Sequence, residues 1–60
     1  MKFVLEIDMN GDVFDDAGEL PRVLRNVAEA ILANPETGAY TALDSNGNTV
    51  GQGKYVGTKT

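Results

Sequence analysis

The chain reads as an α+β domain of order β-α-β-β: a three-stranded, mostly antiparallel sheet with one helix packed on one face. Three stretches predict it. Apolar and polar residues alternate from Lys2 to Met9 with Val4 as the one apolar residue on the polar face, apolar residues recur at helical spacing from Leu20 to Ile31, and Asp44-Ser45-Asn46-Gly47-Asn48 is a hairpin turn sequence. The two periodicities distinguish a half-buried strand from an amphipathic helix, and the turn sequence joins two further strands.

In the first stretch Phe3, Leu5, Ile7 and Met9 share one face and Lys2, Val4, Glu6 and Asp8 the other. That strand should stop at about Met9, because Asn10 and Gly11 tolerate turn conformations and the acids after them disfavour a strand. Phe14, alone among Asp12, Asp15 and Asp16, is expected to tuck inward as a staple onto the coming helix. Leu20, Val23, Leu24, Val27 and Ile31 then form the apolar stripe of a helix. Pro21 fits its first turn, where a missing N–H costs nothing, so the helix begins near Glu19 or Leu20. Asn34 and Pro35 end it after about Ala33, since the residue before a proline is pushed out of helical geometry. Arg22, Arg25, Asn26 and Glu29 make the solvated face, with Arg25 and Glu29 spaced as an ion pair.

The turn admits two registers, a two-residue Asn46-Gly47 turn or a type I turn with Gly47 in the left-handed bulge position. Asp44 as turn opener favours the second, which pairs Ala42 with Val50. Gly51 and Gly53 point to a bulge or a close backbone approach, and Lys54 to a solvated edge. With the third strand in the middle the sheet is antiparallel throughout; with the second there, one pair is parallel. The first order is favoured. Residues 1–57 then make one domain and 58–60, with Lys59, a loose tail. The sheet face away from the helix has no second layer, and Val4 with Tyr40 or Tyr55 offers a contact patch on it.

A domain of 60 residues buries a modest core and commonly gains stability from disulfides, metal or self-association. The absence of Cys and His removes the first and any tetrahedral zinc site, which leaves a homodimer through the sheet or its edge. No window is apolar enough for a membrane span, and no basic, then apolar, leader opens the chain, so a cytoplasmic protein without membrane partners is expected. The net charge of −4 is one-sided, because residues 1–19 carry six carboxylates and the single cation Lys2. Phosphate backbones are bound by Lys and Arg releasing counterions, so direct nucleic-acid binding is not expected.

The acidic joint Asp8 to Glu19 is where chemistry would concentrate. Asp8, Asn10, Asp12, Asp16 and Glu19 fall at the side-chain ligand positions of an EF-hand calcium loop, with the Phe14 carbonyl between them. Val13 stands where that loop needs glycine, and a strand precedes it in place of a helix. Turn and cap chemistry accounts for the same residues without a metal, and no cofactor is expected. Gly51 to Gly57 superficially matches a phosphate loop but lies in a strand pattern, not at a helix start. With no His, Cys or nucleophile elbow, and no cleft to desolvate a carboxylate pair, the chain is not expected to be an enzyme.

Asn10 to Phe14, Arg22-Val23-Leu24 and Asp44 to Gly51 together make the layout resemble a loose set of short phage- and prophage-encoded proteins of uncharacterised function. They share an alternating N-terminal strand, an Asn-x-x-x-Phe-like or Asn-x-x-Phe-like joint rich in Asp, a helix with an Arg-Ile-Leu-like core and an ending similar to Asp-x-Asn-Gly-Asn-x-Val-Gly. Their aromatic after the last glycine is here replaced by Gly53, with Tyr55 following. The resemblance implies a source and a size class, and hence the cytoplasm of a host cell. The combined expectation is an accessory protein that binds another protein, a host or defence factor, through Asp12, Asp15 and Asp16. A calcium-binding module on the same loop is the alternative.

Overall fold

The computed structural model describes residues 1–57; the tail expected at 58–60 lies outside the described residues. Strand β1 spans Lys2–Ile7, helix α1 Glu19–Ala33, strand β2 Ala39–Leu43 and strand β3 Thr49–Val56, with a 3-10 turn at Asp12–Asp15. The sheet order is β1-β3-β2 and both pairings are antiparallel. The architecture is the α+β arrangement expected, with the hairpin's return strand in the centre.

β1 ends at Ile7, two residues before the alternation does. The Asp8 N–H still donates to the Val50 carbonyl at 2.7 Å. The Asp8 carboxylate meanwhile accepts the Asn10 N–H at 3.0 Å, a local bond that turns the chain out of the sheet. Helix α1 covers the predicted span. Its apolar stripe is unevenly buried: Val23 and Val27 lie in the core, while Leu24 is 43% exposed at the flank. At its far end Asn34 closes the last turn, and the Tyr40 hydroxyl donates to the Asn34 carbonyl at 2.7 Å. That bond ties the helix end to β2.

The core is Val23, Val27 and Ala42, with Phe3, Leu5, Ile7, Phe14, Ile31 and Val50 packed against it. Opposed residues of an antiparallel pair share a face. Phe3 lies opposite Tyr55, and Leu5 and Tyr40 both lie opposite Gly53, which places both tyrosines on the helix side. The expectation that Tyr40 or Tyr55 adds to the open face is corrected accordingly. The Phe3 ring gathers them, with centroids 5.2 Å from Tyr55 and 6.2 Å from Tyr40. The open face carries Val4 and the polar Lys2, Glu6, Gln52 and Lys54. Lys54 thus belongs to the wetted face of the central strand, not to a sheet edge.

The hairpin turn is of the type Asp44 favours. Gly47 N–H donates to the Asp44 carbonyl at 3.0 Å, Asp44 N–H to the Asn48 carbonyl at 2.9 Å, and Gly47 has φ of 83°. The Asp44 carboxylate accepts the N–H groups of Asn46 and Asn48, each at 2.9 Å. The register beyond the turn differs from the expected one: Leu43 pairs with Thr49, but Ala42 pairs with Gly51, not Val50, across a bulge. The bulge sets two residues of β3 against one of β2, so Val50 reaches the core while Gly51 keeps its own close contact. A Cβ on Gly51 would stand 1.9 Å from the Glu6 carbonyl oxygen, and one on Gly53 2.5 Å from the Phe3 ring. β1 and β3 meet over two glycines, one against backbone and the other against the Phe3 side chain.

Candidate functional site

The acidic joint divides into parts with different tasks. Asp12 and Asp15 begin and end the 3-10 turn. Three residues per turn bring positions three apart into line, so the two carboxylates project from the same side. The turn is held by Phe14 N–H donating to the Gly11 carbonyl at 3.1 Å and Asp16 N–H to the Val13 carbonyl at 3.3 Å. Phe14 packs on the core from its other side, as the staple reading expects. Both carboxylates are exposed, and among the described residues neither takes part in a hydrogen bond or ion pair.

Asp16, the third expected contact residue, has structural work. Its carboxylate accepts the Gly18 N–H at 3.0 Å and its carbonyl the Glu19 N–H at 3.0 Å, so it shapes the entry to α1 that Gly18, lacking a side chain, cannot cap. The joint therefore presents Asp12 with Asp15 and uses Asp16 internally.

Glu19 is the residue whose role the sequence reading missed. Expected as one of the turn and cap carboxylates at the helix start, it is only 1% exposed. One carboxylate oxygen accepts the Ser45 N–H of the β2–β3 turn at 2.7 Å and the other binds the Arg22 guanidinium. A buried carboxylate needs such partners, and these two connect the first helical residue to a turn 26 residues away. The signal was present in the spacing, since Glu19, Val23 and Val27 are four apart and share the buried stripe. Arg22 takes this role from the helix's polar face; the expected Arg25–Glu29 pair does not form, and Arg22–Glu19 is the one ion pair among the described residues.

The same contacts define the EF-hand spacing in three dimensions. Glu19 is committed to Ser45 and Arg22, and one carboxylate oxygen each of Asp8 and Asp16 is occupied by its own turn. Among the described residues no three acidic side chains form a group that could hold a metal ion. No helix among them is long and apolar enough to cross a membrane. No protein family, curated protein or solved structure matches the chain.

Proposed function

We propose that this chain is a phage or mobile-element accessory protein whose task is to bind another protein, a host or defence factor, as a homodimer that presents the Asp12–Asp15 carboxylates to a basic surface of that factor. The observation that carries this reading is the pair itself. Two like charges are held in line on an ordered turn anchored by Phe14, and the fold makes no use of either. Aligned carboxylates without a counter-charge repel one another, a cost that a basic partner surface removes on contact. The source follows from the resemblance in layout, and the dimer from the small core.

The test is capture of the partner from a bacterial lysate by the tagged wild-type protein and by the Asp12→Asn, Asp15→Asn double variant. Neutralising both should weaken binding on the order of tenfold or more and flatten its salt dependence, because steering charges act through that term. Asp16→Asn, which keeps an oxygen for the Gly18 N–H, should bind within about twofold of wild type. Equal retention of the partner by the double variant would remove the acidic turn from the account.

A further inference from the structure

We infer that β1 is a self-association strand: two copies join edge to edge by antiparallel β1–β1 pairing about a two-fold axis at Val4, giving one continuous six-stranded sheet from two three-stranded ones. This deepens the dimer of the proposed reading by naming its surface and register, and it does not depend on the acidic turn.

The order β1-β3-β2 leaves β1 at an edge. The phase of its hydrogen bonding is fixed from two directions. Asp8 N–H donates inward to Val50, and the Glu6 carbonyl oxygen points at β3, close enough to exclude a side chain at Gly51. Backbone groups in an antiparallel ladder alternate between the two neighbours, so those of Phe3 and Leu5 face outward. Natural edges are usually blunted by charged side chains, proline, a bulge or a covering element, and of these β1 carries the charges Lys2 and Glu6, which are of opposite sign. β1 has a continuous register with β3 and no proline, and α1 lies chiefly over β2 on the far side of the sheet.

Charge selects the same register. Lys2 and Glu6 flank Val4 symmetrically on the open face, both exposed, and the one ion pair among the described residues lies elsewhere. A two-fold axis at Val4 sets Lys2 against the second copy's Glu6, and Glu6 against its Lys2. The strand is its own electrostatic complement, and directly opposed unlike charges stabilise an antiparallel pair. On the helix side the same register sets Phe3 against the second copy's Leu5, both half-buried in the isolated chain. A shift by one residue turns apolar side chains onto the wetted face, and a shift by two sets Glu6 against Val4. β2, the other edge, spans Ala39 to Leu43 and contains no charge to select a register.

The experiment uses the full chain and reads mass by sedimentation together with amide exchange. Wild type should be a dimer in which the Phe3 and Leu5 N–H groups exchange more slowly as concentration rises. Lys2→Glu and Glu6→Lys, both on exposed positions, each turn two attractive pairs into repulsive ones and should weaken the dimer on the order of tenfold. Mixing the two variants restores every pairing, so a heterodimer of wild-type affinity should form; the Lys2→Glu, Glu6→Lys double variant should likewise regain self-association. A wild-type monomer at about 1 mM, well above the range where a specific dimer is populated, overturns the inference and leaves the edge to a foreign strand. A dimer whose Phe3 and Leu5 amides stay fast overturns it as well and places the second copy on the open face or at β2. The acidic turn is untouched throughout, so failure here is separable from failure to capture a host factor.

Discussion

Glu19 shows how far a residue's type can mislead about its task. A glutamate at a helix start is ordinarily a surface group interacting with the helix dipole. Here the turn after β2 comes close enough for its Ser45 N–H to use one oxygen, while Arg22 uses the other and stays half in solvent. Removing the carboxylate takes the partner from that part-buried N–H and from the Arg22 guanidinium at once. Glu19→Ala should therefore cost about 2–3 kcal/mol, read from the shift of the urea midpoint, whereas truncating an exposed acid such as Asp12 should cost well under 1 kcal/mol. A midpoint unchanged in Glu19→Ala would mean that the hairpin is held by other contacts. Asp12 and Asp15 are the converse case, since their exposure and alignment follow from local turn geometry alone.

Between elements, the closest constraint is the approach of β1 to β3. Gly51 faces the Glu6 backbone, which cannot move without shifting the strand, whereas Gly53 faces the tip of the Phe3 side chain, which can swing aside about its first torsion. Gly51→Ala should cost about 3 kcal/mol or more, or prevent folding. Gly53→Ala should cost about 1–2 kcal/mol by displacing the ring from its contacts with Tyr40 and Tyr55. Thermal melts of the two variants give the order, and equal costs would argue against a backbone contact at Gly51. That these glycines mark a bulge or close approach is legible in the sequence. Which strand comes near, and that the bulge moves Ala42 from Val50 to Gly51, is not, because bulge placement depends on what Val50 finds to pack against.

At the scale of the molecule, the apolar side chains buried among the described residues are those of Val23, Val27, Tyr40 and Ala42. The helix lies chiefly over β2, so the β1 half of the sheet keeps its apolar side chains half-exposed. A domain this small has little margin, and association that adds burial should raise its stability by mass action. Its melting temperature should accordingly rise by about 3–6 °C for each tenfold increase in protein concentration, as coupled dimer dissociation and unfolding require. A melting temperature independent of concentration would mean that the chain is stable alone and that the half-covered sheet needs no second copy.

The sequence by itself determined the elements, their order, the limits of α1, the turn chemistry at Asp44 to Gly47 and the inward role of Phe14. Each of these follows from periodicity or from the conformational limits of Pro, Gly, Asn and Asp over a few neighbouring residues. Tertiary structure alone decided the partners: Glu19 with Ser45, Gly51 against Glu6, both tyrosines on the helix side, and the bulge at Val50. Those contacts join residues far apart in the chain. Their energies depend on which surfaces the sheet order brings together, and no local pattern carries that information.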